Sequence, residues 1–343
     1  MHASGVAGRL TNTDLPPDVF AVVMATGIVS VAARDHRYPR ISDPLAALAA
    51  AAFMLLALGL IVRVIARPHS AVREIRDPDV ALRMFTSVAA CTVLGARFVE
   101  RANLLWALGA LAVAAWLVLV PLAVADVASR ARTDLRDHAH GAWLLPSVAT
   151  AGLAITAADL AVHARSDPLV AVGCVAWLIA IGIYVAVLAL IAWRALAAPF
   201  RPDLVTPDSW ILMGALAISA LAGSRMLHAS RALAMPDAFT DTVHYATLIA
   251  WIVASLWVPV LLYAEGWSVD HRTGSLHYTR VWWSAVFPIG MYSAATHEAA
   301  VELSMRSLRT ISLVMFWIGF AIWLMVAIGW LHTALREVIR AAR

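Results

Sequence analysis

Lysine is absent from this chain, and all 26 basic residues are arginine. Together with the excess of alanine, this reads as an imprint of genomic base composition, so the formal net charge of +4 says little about a substrate. Charged residues are scarce, at 14%. The two cysteines, Cys91 and Cys174, fall inside apolar runs with no CxxC pairing, which argues against a redox couple or a thiolate zinc site. There is no GxxxxGK[ST] loop for a nucleotide and no GxSxG elbow for a nucleophile. His297, Glu298 and Glu302 lie close in sequence but do not form HExxH, and His297 and Glu302 are badly spaced for one helical face. No catalytic residue, cofactor, metal or nucleic-acid partner is expected.

What the chain has is apolar length: 62% of its residues are hydrophobic and its mean hydropathy is +0.79. A bilayer core of about 30 Å takes about 20 helical residues, and windows of that size place spans at Pro17–Arg34, Pro44–Ala66, Val80–Val99, Leu104–Val127, Ala142–His163, Pro168–Ala195, Asp208–Ser230, Thr240–Ala264, Val281–Ala300 and Leu308–Leu335. The third and ninth are short runs ending near Arg83, Arg97, His297 and Glu298, so nine or eleven spans stay open. The connections, around His69–Asp79, Ser129–His140 and Gly266–Arg280, are too short for a soluble domain. The expectation is one all-α integral membrane domain over residues 1–343, with a polar tail at 1–15 and a basic one at 336–343. That first segment lacks the build of a secretory signal, so the first helix is expected to be retained.

With ten spans, both termini and the even-to-odd connections share a side. That side holds more of the arginines (among them Arg63, Arg67, Arg73, Arg76, Arg130, Arg132, Arg136, Arg336 and Arg340) than the other, where Arg34, Arg97, Arg101, Arg165 and Arg225 lie. The positive-inside rule then puts both termini in the cytoplasm.

The odd spans are rich in small residues and interrupted by glycine, proline or an aromatic, as in FAVVMATGIVS from Phe20 and VFPIGMYSAAT from Val286. The even spans are bulkier and carry the aliphatic and tryptophan content of a lipid-facing wall. Small residues allow close helix approach, and proline or glycine at membrane depth is tolerated beside neighbours or a cavity. Five hairpins follow, each with its odd helix inward. Arg225 and His228, three residues apart, share a face. They either present positive charge at a mouth, or Arg225 pairs with Glu298 or Asp241. No arginine lies mid-span in an inner helix, which fits weak anion binding, because a buried unpaired guanidinium is costly and holds an anion tightly.

LPPDVFAVVMATGIVSVAAR from Leu15 and WWSAVFPIGMYSAAT from Trp282 resemble the tellurite-resistance and dicarboxylate transporter family, which includes TehA proteins, fungal malate permeases and plant slow anion channels. The resemblance implies five hairpins in quasi-five-fold order around a central pore, three subunits per assembly in the inner membrane, and passage of small anions. It also implies a phenylalanine plug before a proline in the ninth span, which here is Phe287 before Pro288. Pore-lining candidates are Phe20, Met24, Gly27, Phe85, Pro146, Gly152, Met213, Gly214 and Gly290. Pro146 and the glycines would kink the helices or narrow the walls, with close helix packing the equal alternative for each glycine. The MATGIVS form of the first span looks more like the dicarboxylate branch, which makes malate-like cargo the first expectation and a chloride or nitrate channel the second; any tellurite resistance could be incidental.

Overall fold

The computed structural model describes residues 18–66, 78–197, 205–271 and 282–341, and these residues are helical almost throughout. The expected 1–15 tail and most of the His69–Asp79 connection lie outside the described residues, as do the second half of Gly266–Arg280 and the end of the basic tail. Among the described residues, ten long helices run as α1 (Ala21–Asp35), α2 (Pro39–Ala66), α3 (Pro78–Arg97), α4 (Ala102–Ser129), α5 (Leu145–Ala164), α6 (Asp167–Ala197), α7 (Ile211–Ala232), α8 (Asp237–His271), α9 (Trp283–Glu302) and α10 (Arg306–Ala341). α5 and α7 are entered through single 3-10 turns, Gly141–Leu144 and Pro207–Trp210.

Each odd helix packs most closely on the even helix that follows it, giving five hairpins. The odd helices also pack on one another in the order α1, α3, α5, α7, α9 and back to α1, which closes a ring about an axis. Burial separates the layers: 67%, 89% and 83% of the central windows of α3, α5 and α7 are buried, against 22–28% for the even helices. Among the described residues, eight helices are long and apolar enough to cross a membrane. The other two, α1 and α9, belong to the inner ring, where neighbouring helices replace lipid around short or polar segments. The protein is an all-α, multi-pass integral membrane protein.

The hairpin turns repeat one backbone device. Arg37, Arg165, Ala234 and Ser304 sit at positive φ just past α1, α5, α7 and α9. In each case the amide of the next residue reaches back to a carbonyl five positions earlier, Tyr38 to Ala33, Ser166 to Ala161, Met235 to Ser230 and Met305 to Ala300, at 2.8–3.1 Å. This is the Schellman closure of a helix C-terminus, built here without glycine. Hairpins one and five share a second device, in which paired serines exchange hydroxyl-to-carbonyl bonds: Ser30 with Ser42 at 2.7 and 2.8 Å, and Ser293 with Ser312 at 2.7 Å both ways.

Four expectations need correction. α2 begins at Pro39 rather than Pro44: Pro39 suits a first turn, and Pro44 is carried inside the helix. The Ser129–His140 connection contains a seven-residue helix, Arg132–His138, and α8 continues to His271. The tryptophans of the even helices are not all lipid-facing. Trp323 donates to Thr26 Oγ1, Trp116 to Thr150 Oγ1 and Trp251 to Thr296 Oγ1, at 2.9, 2.9 and 3.1 Å, and Trp177 donates to the Ser219 carbonyl at 2.9 Å. Each bond runs from an even helix to the next odd helix, and so stitches neighbouring hairpins together. Trp323→Phe should therefore lower stability by about 0.6–1.7 kcal/mol, the range for polar contacts between membrane helices, read as a shift of the unfolding midpoint in detergent.

Candidate functional site

At one mouth of the ring, residues from the N-terminal halves of the inner helices line a cavity of about 290 Å³. Met24 of α1, Arg83 and Thr86 of α3, Leu145 of α5, Asp208 ahead of α7 and Ser284 of α9 line it, joined by Arg194 of α6. Helix N-termini present free amides and a partial positive charge, which together form a natural anion site. The two guanidiniums add to this: Arg83 lies 3.8 Å from Asp18, and Arg194 donates to the Ala139 carbonyl at 2.9 Å.

Asp208 would oppose an anion here, but its carboxylate is fully engaged. Oδ2 lies 2.8 Å from His140 Nδ1 and accepts the Ala142 amide at 3.1 Å, while Oδ1 accepts a short bond from the Thr206 hydroxyl. Thr206 and Ser209 also close a capping box over the turn that starts α7. Gly141 makes this junction possible, since a Cβ there would strike the Asp208 carbonyl. Sequence reading missed His140 and Asp208, which stand 68 positions apart and meet only through the ring. Arg83, taken above as a reason to doubt the third span, is one of the vestibule's cations.

Phe287 lies three residues beyond Ser284 on α9, one turn deeper on the same helical face, and is 0% exposed. Pro288 follows it inside α9, where the ring removes a donor and crowds the Ser284 carbonyl. Met24, Phe85 and Met213 are likewise fully buried within the inner helices.

The remaining pore-lining candidates fall elsewhere. Phe20 turns to its own hairpin partner, with its ring centroid 5.9 Å from that of Phe53 on α2. Pro146 sits in the first turn of α5, where a missing amide breaks no helical bond, so it supplies no mid-helix kink. The missing side chain of each named glycine points at a neighbouring inner helix: Gly27 at Val93, Gly152 at Thr92, Gly214 at Pro288 and Gly290 at Ile28. Of the two readings offered for them, this is the geometry of close packing. An added Cβ at Gly214 would stand 2.8 Å from Pro288 Cβ and 2.9 Å from its Cα. Gly214→Val should therefore destabilise the fold by about 1–3 kcal/mol through overpacking, measured as loss of folded protein on a detergent melt.

The other mouth is charged differently. Arg225 Nη2 lies 3.5 Å from Glu298 Oε1, the first of the two ion pairs weighed for it, while His228 is exposed. Glu302 holds Arg231 in a two-point contact of 2.6 and 2.8 Å and lies 3.2 Å from His244. His297 faces the ring of His36, centroids 5.2 Å apart, and not Glu302. Among the described residues, no three His, Cys, Asp or Glu side chains gather as a metal set.

A closed ring of five helical hairpins with a basic cavity at one mouth is a membrane-embedded architecture. The chain belongs to the SLAC1 family, described as voltage-dependent anion channel, whose model matches residues 14–331. It is 22% identical over 321 and 328 residues to two uncharacterized transporters of Methanocaldococcus jannaschii, covering 90% of this chain and 90% and 92% of theirs. It is also 32% identical over 162 residues to an uncharacterized membrane protein of Mycobacterium tuberculosis, a match covering 47% of this chain and 81% of the relative. Membership in this family makes anion transport across a membrane the activity class.

Proposed function

We propose that the chain passes small anions along the axis of its inner ring, with four-carbon dicarboxylates such as malate as the first cargo. Phe287, aimed by Pro288, is the gate, and Met24, Phe85 and Met213 line the path near it. The observation that carries this reading is the mouth where five helix N-termini, Arg83 and Arg194 converge one turn below Phe287. Anions gather at that positive end, and a phenylalanine in a narrow apolar passage then excludes water and ions by dewetting.

The vestibule lies on the side where α1 begins, which the positive-inside rule favours as the cytoplasmic one. The family resemblance further supports a homotrimer in which every subunit keeps its own path. An uncoupled chloride or nitrate channel is the second reading. It is favoured by the lack of any arginine midway along an inner helix, because weak binding speeds exit.

Malate and chloride uptake into proteoliposomes separates the two readings. A carrier saturates and prefers malate, whereas a channel passes chloride faster and without saturation. Uptake of neither anion by the wild type or a gate variant would sink both.

A further inference from the structure

A groove of about 580 Å³ opens between α4 and α6, and its floor is the inner helix α5. It runs from Trp106, Leu160 and Leu169, near the turn that joins α5 to α6, to Leu117, Thr150 and Ile179 deep in the span. The outer layer is interrupted here, and the inner ring faces the membrane directly. Two threonines and two tryptophans supply the polar side-chain atoms of the lining. Thr150 donates to the Pro146 carbonyl at 2.7 Å and accepts the Trp116 indole N–H at 2.9 Å, and Thr156 donates to the Gly152 carbonyl at 3.1 Å. Below the rim at Trp106, no side-chain donor is left for a polar ligand.

The dimensions separate the apolar occupants. At 1.5 Å per residue the groove is about 15 Å deep along each helix, which is one leaflet of a hydrocarbon core about 30 Å thick. Spread over that depth, its volume gives a mean cross-section of about 40 Å². An α-helix with its side chains is 10–12 Å across and needs about 80–110 Å². A helix from a second copy of this chain is therefore too wide to enter, whereas an extended hydrocarbon chain fits.

The rim carries charges of both signs. Arg165 in the turn and Asp167 at the start of α6 are both exposed, and among the described residues neither is held in an ion pair. Together they complement the phosphate and ammonium of a zwitterionic lipid head. Trp106, 46% exposed, lies near the same end, where an indole suits the headgroup region. In a bilayer an acyl chain gains no escape from water by entering such a groove, so close packing and the head contacts are what hold it.

We propose that the groove between α4 and α6 binds one acyl chain of a zwitterionic phospholipid, packed on α5 with its head at Arg165 and Asp167. α5 begins at Leu145 in the wall of the vestibule, so the bound lipid bears on a helix of the ring itself. The site stands on the groove and its rim, and not on the reading of the ring axis as an anion path.

The test adds phosphatidylethanolamine with brominated chains, as a mass-tagged probe, to the delipidated full chain in detergent, and counts retained lipid by native mass spectrometry. The unaltered protein should keep one tagged lipid per chain. Ala114→Phe, which places a ring in the groove from an exposed wall position, should lower retention about tenfold. Leu111→Phe, exposed on the same helix but outside the groove, should leave it unchanged. Detergent melts establish that both variants fold; if Ala114→Phe does not, Ala110→Phe, one turn nearer the rim, obstructs the same space. Equal retention in the groove variant and the parent, or none in the parent, would overturn the site. Loss of a multimeric mass in Ala114→Phe with the lipid count unchanged would also overturn it, and would assign the groove to contact between copies.

Discussion

Phe287→Ala should raise anion flux by about tenfold or more, which corresponds to removing about 1.4 kcal/mol from the permeation barrier. The expectation follows from placement. The ring is fully buried, one turn above the cavity wall at Ser284 and immediately before Pro288. On the proposed path, removing it would replace a dewetted constriction with space that water can enter. Packing gives the opposite expectation for an ordinary core phenylalanine, whose truncation destabilises by about 3–5 kcal/mol and opens nothing. Flux and thermal stability should therefore be read on the same preparation: a gate gives more flux from protein that is still folded, whereas a core residue gives less folded protein and no added flux.

Arg83→Gln should lower flux from the vestibule side by about tenfold at low ionic strength, and by much less at high salt. Arg83 lines the cavity and, among the described residues, its ion pair is the 3.8 Å one with Asp18, which leaves its charge available to an entering anion. Its loss leaves the five helix N-termini in place, and the residual flux measures their share. A salt-independent loss would mean that Arg83 holds the fold rather than the field. Stopped-flow uptake at two ionic strengths distinguishes these outcomes.

Much of the architecture was legible in the sequence because hydropathy reports lipid contact directly. The small-residue character of the odd spans marked the inner ring for the same reason, since close packing excludes bulk. Hydropathy weighs residue types and not faces, however, and so it assigned Trp116, Trp177, Trp251 and Trp323 to the lipid, although each turns an indole N–H to the neighbouring hairpin. The hairpin turns carried no signal either, because Arg37, Arg165, Ala234 and Ser304 adopt a backbone that favours glycine without being glycine.

The site was legible in part. Phe287 and Pro288 stood out as a pair, and the resemblance gave that pair a meaning which composition alone did not. The vestibule was hidden because its members come from the ends of different helices: Arg83, His140, Arg194 and Asp208 are remote in sequence and share a cavity only once the ring closes. Charged residues near span ends read as snorkelling side chains, and only the closed ring separates the two mouths into one at the helix N-termini and one where arginines and carboxylates pair.

The most direct test of an anion path along the ring axis is the reversal potential of Phe287→Ala in a planar bilayer under a salt gradient. The current should reverse close to the equilibrium potential of the anion, with wild-type current of the same selectivity but smaller size. Reversal at the cation potential, or a variant that carries no current while remaining folded, would contradict it.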